Sequence, residues 1–323
     1  MQPQKTLFET IYQLTKAKDE KALSIVIDSM GCVALFQGED QQVMRLAAEN
    51  DYESVEFLID KFNANINYAV RGAALGGHNA LINHLIERGA SLDYAVWGSA
   101  CAGHVDLTHE LINRGASLNF AVYGAASGNH VALTNELINV DASLSYAIWG
   151  AAFGGHSTST KALLNRGASI NNAVHGAAFG GHAELTHTLI HLGAHLNNAV
   201  NGAANGGHID LTNDLIIRGG SLNQAVQGAA GGGYIAFVND LIKRGADLKY
   251  AVRGIANWEH SINTENDALR LIAYIDNEAL RNLLAEKFKE TIPSLDTQRL
   301  LEQAKKINML MRENKLTFNQ AQG

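Results

Sequence analysis

A histidine recurs at a fixed interval of 26 residues in this chain and is the first candidate for chemistry. The series consists of His78, His104, His130, His156, His182 and His208, with Tyr234 in the next place. Imidazole nitrogens bind zinc at about 2.0–2.1 Å, whereas neighbouring stacked helices lie ~8–10 Å apart. Histidines spaced in this way do not readily converge on one ion. The pattern predicts loop histidines that hydrogen-bond to neighbouring backbone, and we expect no metal site.

A second candidate is a thiol nucleophile, because Cys101 lies near His104 and His109 in the sequence. Only one copy of the repeating pattern carries this cysteine, and its counterparts include Leu75 and Phe153. The paired glycines do not follow a strand and lack the Lys-Ser/Thr of a phosphate-binding loop. We therefore expect no catalytic residue, no cofactor and no enzyme activity.

The charge of the chain argues against a nucleic-acid partner. The formal net charge is −7, and residues 1–263 carry 16 Lys and Arg against 23 Asp and Glu. A helical-repeat protein that reads RNA needs a basic groove, so this alternative is disfavoured. No apolar stretch reaches ~18 residues, so we expect no membrane span.

Cysteine usage bears on the compartment. The sequence contains only Cys32 and Cys101, which give no disulfide framework and suit a reducing environment. Residues 1–15 lack the apolar run of a secretory signal. We expect a cytoplasmic protein.

The elements that position these residues come from one phrase of 26 residues that recurs from Tyr68 to Lys249. Its copies begin at Tyr68, Tyr94, Phe120, Tyr146, Asn172, Asn198 and Gln224. A period of this length is typical of a stacked array, in which each unit buries its apolar face only against its neighbours. The sequence predicts an all-α helical-repeat solenoid with helical caps.

Each copy is predicted to form two short helices. In the first copy these span about Tyr68 to Leu75 and about Asn79 to Arg88, and Gly76 and Gly77 end the first helix. Asn67 is predicted to be its N-cap, because its side-chain oxygen can accept from a free amide of the first turn. The equivalent predicted caps are Asp93, Asn119, Ser145, Asn171, Asn197 and Asn223.

The phrase resembles the ankyrin repeat. Its core reads Gly-Ala-Ala-x-Gly-Gly-His and its tail reads Leu-Ile-x-Arg-Gly-Ala-Ser-Leu-Asn, similar to the family's Leu-Ala-Ala-x-x-Gly-His and Leu-Leu-x-x-Gly-Ala-Asp-Val-Asn. The resemblance covers about residues 42–260. The period is shorter than the family's 33 residues, and the missing part corresponds to the β-turn finger. The resemblance implies a stack of helices that presents a surface to a protein partner, and translocation into a host cell is an alternative to a resident cytoplasmic role.

A glycine recurs inside each predicted first helix, where it costs roughly 1 kcal/mol relative to alanine. Gly72, Gly98 and their equivalents predict a close approach between the first helices of successive repeats. A stack that is tighter on the first-helix side curves, so we expect this side to be concave.

On a helical wheel, the nearly constant Ala69, Val70, Ala73 and Ala74 lie on one arc and form the packed side. The variable positions lie on the other arc. Aromatic residues and arginine often anchor interfaces, so these positions predict a partner-binding face. The predicted partner-binding residues are Arg71, Tyr94, Trp97, Tyr123, Tyr146, Trp149, Phe153, His175, Phe179 and Arg253.

Two interpretations of the aromatic residues stay open: a partner-binding patch, or packing between repeats that lack fingers. We expect Trp97, Tyr123 and Trp149 to be exposed, because their equivalents include Arg71 and Asn201, which a fully buried position would not tolerate. For the series that contains Tyr68, the two interpretations have equal support.

The ends depart from the repeat. Residues 1–41 are predicted to be an N-terminal helical cap, residues 42–260 the array and residues 261–323 a C-terminal helical cap or extension. Thr264 to Asp267 fits a capping box, and three helices are predicted at Ala268–Ile275, Leu280–Phe288 and Leu300–Met311. The polar tail from Asn314 is alternatively a peptide recognised by a partner or by an export machine.

The sequence as a whole predicts a non-enzymatic scaffold that binds a protein partner through its first-helix face. The alternatives are an array that targets an activity or export signal in residues 264–323, a purely structural scaffold, and self-association through the same patch.

Overall fold

The chain is helical throughout the residues that the computed structural model describes, which are 2–29, 39–255 and 265–314. No strand occurs among them, and the predicted all-α helical-repeat fold with helical caps is confirmed. The first ten helices are α1 (Gln2–Lys16), α2 (Glu20–Ser29), α3 (Glu39–Ala48), α4 (Tyr52–Phe62), α5 (Ile66–Leu75), α6 (Asn79–Glu87), α7 (Leu92–Ala102), α8 (Val105–Asn113), α9 (Leu118–Ser127) and α10 (Val131–Asn139). The others are α11 (Leu144–Phe153), α12 (Ser157–Asn165), α13 (Ile170–Phe179), α14 (Ala183–His191), α15 (Leu196–Asn205), α16 (Ile209–Ile217), α17 (Leu222–Gly231), α18 (Ile235–Lys243), α19 (Leu248–Ile255), α20 (Glu265–Ala273), α21 (Glu278–Thr291) and α22 (Thr297–Asn314).

The helices belong to two compact units. Among the described residues, the first comprises 2–27 and 39–194, and the second comprises 28–29, 195–255 and 265–314. In the first unit the odd-numbered helices from α3 to α13 pack in succession, and in the second unit α15, α17 and α19 do the same. The domain boundaries predicted at 41/42 and 260/261 stay a prediction.

The turns between helices follow the glycine punctuation. Gly77, Gly103, Gly155 and Gly181 end first helices with positive φ between 72° and 77°. A left-handed backbone is easily reached by glycine, so these turns form where the sequence predicts them. The predicted second-helix end at Arg88 falls one residue after the last residue of α6.

The predicted N-caps are wrong by two residues. α7, for example, begins after Ser91, whose side chain accepts from the backbone N–H of Asp93 at 3.2 Å. Asp93 instead accepts from the backbone N–H of Ser117 in the next repeat, at 2.7 Å. The side-chain oxygens of four asparagines accept in the same way from the backbone N–H of the residue 24 positions later: Asn67, Asn119, Asn197 and Asn223. These side chains therefore tie consecutive repeats together at the start of their first helices.

The helical glycines mark contacts between repeats. A methyl group at Gly98 would overlap the carbonyl oxygen of Arg71, and one at Gly150 would overlap that of Tyr123. At Gly176, the added carbon would lie 2.7 Å from the carbonyl oxygen of Trp149. Each of these first helices thus lies against the backbone of the preceding first helix, as the glycine spacing predicts.

The ends of the array are covered by helices. At the N-terminus α1 packs on α3 and α4, and the Tyr12 hydroxyl donates to Glu49 at 2.6 Å. In the second unit α19 packs on α21, and α22 packs on α20 and α21. Thr264, the first residue of the predicted capping box, and the polar tail beyond Asn314 lie outside the described residues. None of the described helices is both long and apolar enough to cross a bilayer.

Candidate protein-binding face

The first helices of the first unit carry a continuous row of interlocking side chains at the position of Arg71. We call Arg71, Trp97, Tyr123, Trp149 and His175 the inner row. The guanidinium carbon of Arg71 lies 3.4 Å from the centre of the Trp97 ring. The next two ring pairs, Trp97 with Tyr123 and Tyr123 with Trp149, have centroids 4.9 and 5.1 Å apart. Trp149 Nε1 donates to His175 Nδ1 at 3.1 Å, which completes the row.

The inner row is less exposed than the sequence predicts. Tyr123 is buried, with 8% of its surface accessible, while Trp97 and Trp149 are half-buried. The rings of Trp97 and Trp149, from the two neighbouring repeats, enclose Tyr123. The solvent exposure of Tyr123 therefore depends on these neighbours and not only on its position within the repeat. Burial also raises the pKa of Tyr123 well above its usual range. The expectation that this series is exposed is therefore wrong for Tyr123.

A second row is more open to solvent. We call Tyr68, Tyr94, Phe120 and Tyr146 the outer row. Consecutive ring centroids in it lie 6.1, 6.3 and 6.4 Å apart. The first three residues are half-buried, and Tyr146 is 45% exposed. Tyr94 also contacts Trp97 with centroids 6.0 Å apart, so the two rows touch.

Two phenylalanines extend the aromatic surface. Phe153 stacks on Trp149 with centroids 5.6 Å apart and an angle of 12° between the ring planes. Phe179 lies 5.7 Å from Phe153 and 5.5 Å from Trp149. Phe153 is half-buried, and its contacts with both rings join the phenylalanines to the inner row. Aromatic pairs contribute about 0.5–1.5 kcal/mol beyond the area that they bury, so these contacts hold the surface in one arrangement.

The predicted site residues divide between the units. Nine of the ten lie on the first helices of the first unit, where the contacts above bring them together. Arg253 belongs to the second unit, is exposed, and lies over the ring of Tyr250 at 5.4 Å. At the equivalent positions α15 and α17 have amides, and Asn201 Nδ2 donates to the carbonyl oxygen of Gln224 at 3.2 Å.

Two members of the outer row are missing from the predicted site. Tyr68 and Phe120 occupy the same repeat position as Tyr94 and Tyr146, and that shared position is the signal that would have included them. Their ring contacts make them part of the same surface.

The repeating histidines make the backbone contacts that the sequence predicts. His104 Nε2 lies 3.1 Å from the carbonyl oxygen of Leu75, and His130 Nε2 lies 3.0 Å from that of Cys101. Equivalent contacts at 2.8 Å are made by His78, His156 and His182. In each case the acceptor is the carbonyl at the end of the preceding repeat's first helix, so each histidine joins two repeats.

The thiol candidate is not activated. Cys101 is half-buried, and burial raises the pKa of its thiol, an effect that nearby Arg71 opposes but does not overcome. A nucleophilic cysteine needs the opposite shift, because the thiolate is the reactive form. Among the described residues, no group of three or more His, Cys, Asp or Glu side chains is placed to hold a metal ion.

No protein-family model matches this chain. No curated protein matches it either. Among solved structures, the crystal structure of the human ASB11 ankyrin repeat domain is similar over 48% of this chain and 84% of that chain, with 21% sequence identity and a TM-score of 0.29.

Proposed function

We propose that this chain is a non-enzymatic scaffold that binds a protein partner through the first-helix face of its first unit. The observation that carries the proposal is the outer row together with the phenylalanines beside it, a line of partly exposed rings on consecutive repeats. Aromatic residues are enriched at interfaces, where each buries a large area at a small loss of side-chain freedom.

The composition of this face supports the proposal. Histidine is counted as neutral here. The five helices α5, α7, α9, α11 and α13 then contain only two charged residues, Arg71 and Asp93. Depletion of charge is typical of the centre of a protein interface. The same composition disfavours a nucleic-acid partner, whose phosphates require many cationic contacts.

The rigidity of the face also supports the proposal. Its rings contact one another, and the backbone beneath them is fixed by glycine contacts such as that of Gly150 with Tyr123. A surface that is already ordered loses little conformational entropy when a partner binds, which favours affinity.

Burial of Tyr123 limits which substitutions can test the proposal. Replacing Trp97, Tyr123 and Trp149 with alanine would remove one buried and two half-buried rings, so any loss of binding would be confounded by loss of structure. Tyr146 is the better probe because 45% of its surface is exposed. Tyr52, which is 43% exposed and lies in the second helix α4, provides a matched control.

The test is photo-crosslinking of the full chain with p-benzoylphenylalanine in place of Tyr146 or of Tyr52. We expect position 146 to give a defined adduct with another protein in cell lysate, and position 52 to give none. Equal adducts at both positions, or no adduct at 146, would overturn the proposal. An adduct that contains only a second copy of this chain would also overturn it, because the face would then be a self-association surface.

A further inference from the structure

Arg71 is a half-buried cation that contacts an aromatic ring, and no carboxylate of the described residues forms an ion pair with it. Its Nε atom is buried and makes no hydrogen bond, and the guanidinium faces the Trp97 ring. Burial lowers the pKa of the Arg71 guanidinium, and no carboxylate is among the groups that oppose this shift. Burying a charge without a partner is unfavourable, and a cation–π contact compensates only part of that loss. Arg71 is therefore suited to pair with an anionic group that comes from outside.

Arg71 is also the only Arg or Lys on the five helices α5, α7, α9, α11 and α13. The one carboxylate on these helices, Asp93, already accepts from the backbone N–H of Ser117. A ligand that covered these five helices would meet one strong positive charge, at the same end as Tyr68, and aromatic surface along the rest of the outer row. Arg45, at the equivalent position of α3, is already paired with Glu9 and Glu49. The ligand that complements this pattern has one negative charge at one end and apolar groups along its length.

The spacing of the outer row indicates the backbone conformation of such a ligand. Its intervals are 6.1, 6.3 and 6.4 Å. Alternate side chains of an extended peptide repeat every ~6.4–6.8 Å, whereas one turn of an α-helix advances about 5.4 Å and one turn of polyproline II about 9.3 Å. Of these three conformations, the extended chain stays most nearly in step with the rings over the three intervals.

We propose that the outer row and Arg71 bind an extended peptide of about seven residues, with apolar side chains at alternate positions and a carboxylate placed at Arg71. This inference rests on the proposed function and specifies the kind of protein segment that the face takes. The carboxylate comes from an aspartate or glutamate side chain or from a chain terminus.

The same geometry predicts that one substitution, at Arg71, weakens the binding of acidic peptides without lowering the stability of the fold. Arg71→Met keeps most of the side-chain volume and an apolar contact with Trp97, and it removes the charge. Replacing a buried charge with an apolar group of similar size is often neutral or stabilising. We expect the variant to keep or raise its thermal midpoint while losing its preference for acidic peptides, which a purely structural role for Arg71 would not produce.

The experiment is selection from a display library of random nine-residue peptides on the full chain. We expect enriched sequences to carry alternating apolar residues and one acid at a fixed distance from them. Peptides selected on the Arg71→Met variant should still carry alternating apolar residues but should no longer carry the acidic residue. The best acidic peptide should bind this variant about 10- to 100-fold more weakly, the loss expected for one charged hydrogen-bonded contact.

The control variant is Arg114→Gln. It removes the same charge from the same unit, but Arg114 follows the second helix α8 and donates to Asn83. This variant should select the same peptides as the wild type. Synthetic peptides with free and amidated C-termini separate the two sources of the carboxylate, and single-stranded oligouridine serves as a nucleic-acid competitor.

Selection of apolar peptides without an acid, equal losses for Arg71→Met and Arg114→Gln, or displacement by oligouridine would overturn the inference. If Tyr146 crosslinks a protein but no linear peptide is selected, the extended-peptide inference fails and the proposed function stands. If neither a crosslink nor a peptide is obtained, both fail.

Discussion

The first helices of the two units share their buried residues and differ in the residues that face away from the packing. Ala121, Val122 and Ala125 are fully buried in the first unit, and the second unit buries the equivalent alanines and valine of α15 in the same way. At the variable positions the first unit has aromatic rings in contact, whereas α15 and α17 of the second unit have amides such as that of Asn201. One packing pattern thus supports two different surfaces, which separates the residues that build the repeat from those available for binding.

The largest expected difference between the units concerns Tyr123 and its counterpart Asn201. Tyr123→Ala should lower the stability of the first unit by about 4 kcal/mol, because it removes a buried ring that packs between Trp97 and Trp149. Asn201→Ala should lower the stability of the second unit by about 1 kcal/mol, since it removes a small side chain whose amide donates to the Gln224 carbonyl.

Hydrogen exchange followed by mass spectrometry measures these changes in each unit separately, which matters because an array need not unfold in one step. Tyr123→Phe is the control, since it keeps the ring and should retain most of the stability. Losses of equal size in Tyr123→Ala and Asn201→Ala would show that the two surfaces do not differ in packing as the structure indicates.

A second experiment tests what the units share. Gly150→Val and Gly228→Val each place side-chain carbon against a carbonyl of the preceding first helix, that of Tyr123 and that of Asn201. Each should lower the stability of its own unit by about 3 kcal/mol, the cost of overpacking a tight contact. The measurement is again hydrogen exchange resolved by unit.

The control for these glycine variants is Ala162→Val, at an exposed position of the second helix α12. It introduces the same β-branched side chain into a helix where there is room for it, so it reports the helix propensity of valine alone. It should lower stability by less than about 1 kcal/mol. A large loss in only one of the two glycine variants would mean that the close approach of first helices is not a common requirement.

The features that the sequence predicts correctly are those set within one repeat or by strict repetition. Gly76 and Gly77 mark the end of a first helix, and Gly98 marks a close approach whatever the neighbouring side chains are. The apolar arc of Ala69 and Val70 is likewise buried as helical periodicity predicts. These features depend on backbone geometry, which repeats with the sequence.

The features that the sequence does not predict depend on contacts between repeats. Ser91 and Asp93 are both good capping residues, and Asp93 is drawn away from that role by a backbone N–H 24 residues ahead. The repeat pattern predicts an exposed Tyr123 because other copies carry Arg71 or Asn201 at its position. Exposure there is set by the size of the neighbours, and Tyr123 is the member with a large indole ring on both sides.

The substitution with the smallest expected effect on stability, Tyr146→Asn, tests most directly whether the aromatic surface of the first unit binds a ligand. Tyr146→Asn introduces the residue that the equivalent positions 172 and 198 carry. Because Tyr146 is 45% exposed, the substitution should change the free energy of unfolding by no more than about 0.5 kcal/mol, measured by thermal unfolding. Affinity for a peptide selected on the wild-type chain should nevertheless fall about tenfold, since an exposed ring of the outer row is replaced by an amide. Tyr52→Asn, at a matched exposure on α4, should leave that affinity unchanged. A loss of several kcal/mol in Tyr146→Asn would instead place Tyr146 with Tyr123 as packing, and the outer row would then have no exposed ring of this size to offer a ligand.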